Sequence, residues 1–367
     1  MKGMLLLEDG SAWEGVLFGH PSSSLEGPSP HGELVFNTAM SGYEEILTDP
    51  SYRRQTVVFT NPQMGNYGIT LEDAESRRPW VEAVVVREPS LIPSNWRSRA
   101  SLDAYLKEHK IPGLCEVDTR GLVRHIRQHG AMRCIVAPYQ EPHSLLEAVR
   151  AQPSMEGWGL AYDVTCEKPW ELDGTGPRVA VLDLGVKRGI LRELHQRGLN
   201  LRVFPASTAA RDVLAWNPAG LVLSNGPGDP AALKDIIAEV KPLVTSGLPV
   251  LAICLGHQLT ALALGAKTFK LKFGHRGGNH PVKGPTGKVE ISSHNHGFAV
   301  DPESLPRELE TTHFDLYDGT LEGFRHRELP VQCVQYHPES APGPRDSLYL
   351  FEDFITEVSR PCHSVAT

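Results

Sequence analysis

The sequence predicts an α/β protein of two domains: a C-terminal unit with a mostly parallel sheet flanked by helices, preceded by a smaller α+β or β-rich N-terminal unit. Three observations carry this prediction. Past residue 177, apolar runs of four or five residues alternate with helical stretches, the signature of β-α-β units buried on both faces. Before residue 152, short strand-like runs are separated by turns, and between the two halves lies a stretch crowded with turn residues. A length of 367 residues agrees with two domains at roughly 150 residues each.

The N-terminal unit, residues 1–151, holds the β-like runs Glu33–Phe36, Gln55–Thr60 and Val81–Val86. Helices are expected near Ser101–Lys110, where Ser101 is a natural cap, and near Thr119–Gly130. Residues 152–177 read as a linker or extended arm, with Gln152-Pro153-Ser154 at one end and Asp173-Gly174-Thr175-Gly176-Pro177 at the other. In the C-terminal unit, residues 178–362, the runs Val179–Asp183, Asn200–Phe204, Gly220–Ser224 and Pro249–Ile253 are strands, with helices over Lys187–Arg197 and Ala231–Thr245. Right-handed crossovers then gather the loops at one sheet edge, where ligands bind.

Composition narrows the function. With 36 Lys+Arg against 44 Asp+Glu, the surface does not concentrate phosphate backbones or anionic lipids, so neither nucleic acid nor membrane is an expected partner. No apolar run is long enough to span a bilayer, and Met4–Leu7 is cut short by Glu8-Asp9, which leaves a cytoplasmic location as the expectation. The six cysteines, Cys115, Cys134, Cys166, Cys254, Cys333 and Cys362, contain no C-x-x-C pair and read as small core residues, with one exception.

Cys254 closes the Pro249–Ile253 run and is followed by Leu255-Gly256-His257-Gln258, where a helix begins. A cysteine at such a strand-to-helix turn is either a buried core thiol or the thiol counterpart of a serine nucleophile elbow. In the second reading the helix dipole favours thiolate, and the Leu255 N–H points at an oxyanion. A base is available in His337-Pro338-Glu339 after the run Val331–Tyr336: residues i and i+2 of an extended segment point the same way, so Glu339 can hold one nitrogen of His337 and free the other for Cys254. Ser224–Pro230, with Gly226 and Gly228 flanking Pro227, is a tight turn, a phosphate cradle or an oxyanion loop; no nucleotide-binding glycine motif occurs in the chain.

The Asn225–Pro230 loop, the Cys254–Gln258 elbow and the His337-Pro338-Glu339 triplet, in that order, resemble the class I glutamine amidotransferases. Phe36–Tyr52, Gly65–Gly68, Val117–Arg120, Leu184–Arg188, Lys272–Val282 and Ser293–Ala299 resemble, within that family, the small subunit of carbamoyl phosphate synthetase. The resemblance implies a catalytic triad of Cys254, His337 and Glu339, and a pocket for L-glutamine made of Ser41, Gly226, Gly228, Leu255, Gln258, Asn295, Gly297 and Phe298. It implies hydrolysis of glutamine through a cysteine thioester to glutamate and ammonia. The ammonia would go to a large-subunit partner that holds ATP and magnesium and makes carbamoyl phosphate for arginine and pyrimidine biosynthesis; no cofactor is expected on this chain.

Two alternatives remain: the glutaminase component of another class I amidotransferase, or a non-catalytic regulatory module of the same fold. His294-x-His296 with His275 and His280 invites a metal reading, but a site needs three or four ligands and the resemblance assigns none, so no metal is expected. Leu271–Val282, with three glycines, reads as a loop at the partner interface or the wall of the site.

Overall fold

A computed structural model of the chain describes residues 1–20 and 31–360. Cys362, and with it the end of the expected C-terminal unit, lies outside the described residues.

In the N-terminal half the strands Lys2–Leu7, Ala12–Gly19, Pro112–Cys115, Ala83–Val85, Gln55–Phe59, His31–Asn37 and Met132–Pro138 follow one another around a closed barrel, the last pairing with the first. The period-two alternation of strands explains how an all-apolar first strand is used. Leu5 and Leu7 pack inside with Leu34, Phe36, Val85 and Leu114, whereas Met4 and Leu6 point outward and are covered by Leu145 and Val149 of the helix His143–Arg150. The helix Leu102–Glu108 begins after Ser101, whose Oγ accepts from the Ala104 amide. The helix Thr119–His129 is capped by Asp118 and stops at Gly130.

The C-terminal half is one ten-stranded sheet. Its centre is parallel: Asn200–Pro205, Arg178–Asp183, Gly220–Leu223, Val250–Ile253 and Val331–Val334 lie side by side. Helices cover both faces of these strands, Lys234–Val244 and Leu255–Ala263 on one and Arg188–Gln196 and Tyr349–Val358 on the other. Beyond Val331–Val334 the sheet continues antiparallel through Leu321–His326, Leu309–Asp315, Thr268–Lys283 and Val289–Val300.

Two expectations change. Leu271–Val282 is not a loop but the larger part of the strand Thr268–Lys283, and its glycines sit where the pairing with Val289–Val300 shifts register, between Lys270 and His275 and between Gly277 and His280. Residues 152–177 are not a bare linker: they contain the short helix Ala161–Val164 and the edge strand Trp170–Leu172, which pairs with Asn200–Pro205. No helix among the described residues is long and apolar enough to cross a membrane.

Candidate active site

The strand Val250–Ile253 lies in the middle of the sheet, so the loops of both neighbours wall its C-terminal end. There the chain turns directly into the helix Leu255–Ala263, and Cys254 adopts φ 54° and ψ −104°. A side chain in that backbone region costs about 1–3 kcal/mol and persists only where the surroundings fix it. Here the Cys254 amide donates to the Val334 carbonyl (2.8 Å) and the Gly256 amide to the Ser224 carbonyl (3.0 Å). Gly256 follows from the same crowding, because a β-carbon would sit 2.3 Å from the Leu223 carbonyl oxygen. The amides of Leu255 and Gly228 donate to no protein acceptor among the described residues, which leaves two N–H groups for an oxyanion beside the thiol.

The strand Val331–Val334 brings up the base. The His337 amide donates to the Ser293 carbonyl at 2.8 Å, and Nδ1 of its ring lies 2.7 Å from Oε1 of Glu339. All three catalytic candidates are buried. Burial by itself would strip the proton from His337, but the Glu339 carboxylate, helped by the Cys254 thiol, outweighs it and holds the imidazolium up to about 10. Burial likewise opposes ionisation of Glu339, and the charges of Lys187 and His337 overcome it, bringing the carboxyl down to about 2. Burial pushes the Cys134 thiol up to about 12, as expected of an inert core group.

Of the residues expected to hold glutamine, Gly226, Gly228, Gln258, Asn295, Gly297 and Phe298 line one cavity with Cys254, and Leu255 adjoins it through its amide. Gln258 is fixed there by its Nε2, which donates to the Phe298 carbonyl (2.8 Å) and to Oε1 of Gln335 (2.9 Å).

Ser41 does not reach this cavity. It is exposed, precedes the helix Tyr43–Thr48 and lines a separate hollow with Asp73 and Arg192. The hydroxyl that faces the cavity belongs to Ser51, at the other end of that helix. Asp49 sets this turn: its carboxylate accepts from the Ser51 amide (2.9 Å) and from Asn295 Nδ2 (2.8 Å), while Asn225 Nδ2 donates to Ser51 Oγ (2.9 Å). The N-terminal domain thus supplies part of the pocket wall.

Sequence reasoning missed Ser51, Asp49, Lys187 and Arg276. Lys187 is buried with its ammonium 2.9 Å from Glu339 Oε1 and 2.6 Å from the Ser340 carbonyl. Arg276 is buried in the cavity wall, where Nε donates to Gln55 (3.2 Å). The available signals were position, since Lys187 follows the strand Arg178–Asp183 at the same sheet edge as Cys254, and membership of Phe36–Tyr52, Leu184–Arg188 and Lys272–Val282, segments that carry the family resemblance.

Among the described residues, two overlapping sets of buried side chains could hold a metal, His275, His294, His296 with Glu322 and His275, His280, His294 with Asp315; they lie on the antiparallel part of the sheet, and His296 also lines the cavity beside Cys254.

A parallel sheet, an elbow cysteine and a buried His/Glu pair define a class of protein, and residues 180–357 match the family described as glutamine amidotransferase class-I. Residues 5–136 match the CPSase domain of the carbamoyl-phosphate synthase small chain. The chain is 51% identical to a carbamoyl phosphate synthase small chain of Chlorobaculum tepidum over 98% of both chains. It is 47% identical to one from Symbiobacterium thermophilum, over 98% of this chain and all of that one (100%). The chain belongs to the carbamoyl phosphate synthase small chain family. Among solved structures, a glutamine amidotransferase from Thermotoga maritima is 17% identical, covering 50% of this chain and 99% of that chain with a TM-score of 0.41.

Proposed function

We propose that this chain hydrolyses L-glutamine through a thioester on Cys254 and passes the ammonia to a large-subunit partner. Within a family named for carbamoyl phosphate synthesis, the observation that carries the reading is the buried His337–Glu339 pair, with Nε2 of His337 unpartnered among the described residues, beside an elbow cysteine, Cys254, that lines a cavity with unpaired amides at Leu255 and Gly228.

Cys254 gives its proton to His337, and the resulting thiolate attacks the carboxamide carbon of glutamine, the developing oxyanion being met by the Leu255 and Gly228 amides. His337, kept protonated by Glu339, gives its proton to the departing ammonia and afterwards takes one from the water that attacks the thioester. Asn295, Gln258, Ser51 and the backbone of Gly297 and Phe298 hold the amino-acid head, and Arg276 in the same wall offers a positive charge to its carboxylate. The large subunit would carry ATP and magnesium, combine ammonia with bicarbonate and so supply arginine and pyrimidine biosynthesis; this chain contains no nucleotide-binding glycine loop.

The test is Cys254→Ala in a complex reconstituted with the large subunit. Glutamine-dependent carbamoyl phosphate synthesis is expected to vanish while synthesis from free ammonia persists. Retained use of glutamine would refute the assignment, and carbamoyl phosphate made by the isolated chain would refute the division of labour.

A further inference from the structure

We propose that His275, His294, His296 and Glu322 form a closed structural site for one divalent cation of the zinc class, on the strands behind the glutamine cavity. One ligand atom from each of the four buried side chains lies within 4.8 Å of all the others. Nδ1 of His294 and Nε2 of His296 are 3.3 Å apart; Glu322 Oε1 is 3.5 Å from His275 Nδ1 and 3.7 Å from His296 Nε2, and its Oε2 is 3.5 Å from His294 Nδ1. Zinc bonds of about 2.0–2.1 Å to nitrogen place neighbouring ligands of a tetrahedron about 3.3–3.4 Å apart. The separations of 3.3–3.7 Å lie close to such an edge, and the remaining pairs stay within 4.8 Å, so a modest contraction would bring the four groups onto one ion.

The outward nitrogens settle which lone pairs face inward. His296 donates from Nδ1 to the Phe298 carbonyl at 2.9 Å, so Nε2 carries a lone pair. The Ser292 hydroxyl donates to the His280 carbonyl (3.2 Å) and therefore accepts from His294 Nε2 (2.7 Å), which leaves a lone pair on Nδ1. His275 donates from Nε2 to Asp318 (2.9 Å), and its Nδ1 is without a hydrogen bond, as are both oxygens of Glu322. Each imidazole is thus oriented by an outer partner in the manner of metal-ligating histidines. The His294 and His296 rings, both fully buried and in contact, cannot both be cations. Two lone pairs facing each other at 3.3 Å beside a carboxylate with no donor make a site built for positive charge.

With four protein ligands and no open position, the ion would be structural rather than catalytic. It would clamp the strands Thr268–Lys283, Val289–Val300 and Leu321–His326 together. Asn295, between the two histidine ligands in sequence, turns its amide to Asp49 and its carbonyl toward the Cys254 thiol, 3.7 Å away. The sequence shows the histidines but not Glu322, and the resemblance assigns no metal; Glu322, from a separate strand, completes the set with three of them.

The test is metal content of the full chain purified without chelators, measured by elemental mass spectrometry. About one zinc per chain is expected in the wild type, falling below about a tenth in Glu322→Gln and in His294→Gln. Wild-type chain stripped with a strong chelator should rebind one equivalent from zinc chloride with a rise in melting temperature, and cobalt(II) in its place should show the visible absorption of a tetrahedral ion. Should a variant not fold, the stripped wild type decides alone. Failure of that protein to take up zinc would overturn the proposal and leave a metal-free His275–Glu322 ion pair as the explanation of the cluster; zinc content unchanged in both folded variants would overturn it by locating the ion elsewhere.

Discussion

Lys187 Nζ and His337 Nδ1 converge on one oxygen, Oε1 of Glu339, at 2.9 and 2.7 Å. Two cations therefore share one carboxylate in a place closed to solvent, and the lysine does for Glu339 what Glu339 does for the histidine. Removing the carboxylate strands the Lys187 charge and leaves burial free to strip the proton from His337, and breaking a buried pair in this way costs about 3–5 kcal/mol. Glu339→Gln is expected to lose stability on that scale in urea unfolding of the isolated chain.

The pH dependence of that loss has a defined sign. Glu339 is depressed from 4.5 to about 2, so its contribution is complete above pH 4.5 and disappears as pH falls toward 2. His337 is raised from 6.5 to about 10, so its contribution is complete below pH 6.5 and drains away as pH rises toward 10. The difference in melting temperature between wild type and Glu339→Gln should be widest between about pH 4.5 and 6.5 and narrow on both sides. A difference that stays level from pH 4 to 10 would contradict the coupling.

The same substitution should lower glutaminase kcat by about ten- to a hundredfold, less than the roughly 10⁴ lost when an aspartate is neutralised in a serine triad. The backbone that carries the His337 ring stays constrained, because its amide is tied to the Ser293 carbonyl at 2.8 Å and Pro338 restricts its conformation. Steady-state glutamate release by Glu339→Gln measures this directly. A loss as deep as that of Cys254→Ala would mean that the backbone contacts of His337 preserve none of the rate once the carboxylate is neutral.

Ser51 and Ser41 make a paired comparison. The Ser51 hydroxyl faces the cavity and accepts from Asn225, whereas Ser41 is exposed beside another hollow. Loss of one hydrogen bond to bound substrate is worth about 1–1.5 kcal/mol, or roughly a tenfold rise in KM. Ser51→Ala should show that rise with a smaller change in kcat, and Ser41→Ala should match the wild type in the same glutamine titration. The reverse result would return the substrate hydroxyl to Ser41.

What the sequence made legible was whatever is written in local pattern. The parallel strands show as apolar runs, the Ser101 and Asp118 caps sit where helix starts need them, and Cys254 and His337-Pro338-Glu339 each close a strand. What remained hidden depends on distance through space. Ser51 enters the pocket only because the barrel domain presses the Asp49–Ser51 turn between Asn225 and Asn295, and Glu322 meets three histidines only because the antiparallel strands align them. Leu271–Val282 looked like a loop because its glycines mask strand alternation, and those glycines accommodate the register shifts of a bulged strand.

Gly256→Ala tests whether closeness of the helix to the strand is needed to hold the nucleophile. The new β-carbon would lie 2.3 Å from the Leu223 carbonyl oxygen and 2.8 Å from the Leu223 β-carbon, and the first is backbone that cannot swing aside. The helix Leu255–Ala263 would have to lift, stretching the 3.0 Å bond from the Gly256 amide to the Ser224 carbonyl and relaxing the φ of 54° at Cys254. Overpacking of this kind costs about 1–3 kcal/mol, and a shift of about 1 Å at a reacting group costs about a hundredfold in rate. Gly256→Ala should therefore fold with a lowered melting temperature, lose most glutaminase activity, and support ammonia-dependent synthesis in the reconstituted complex. Wild-type glutaminase rates in that variant would show that the elbow tolerates a wider turn than its contacts imply.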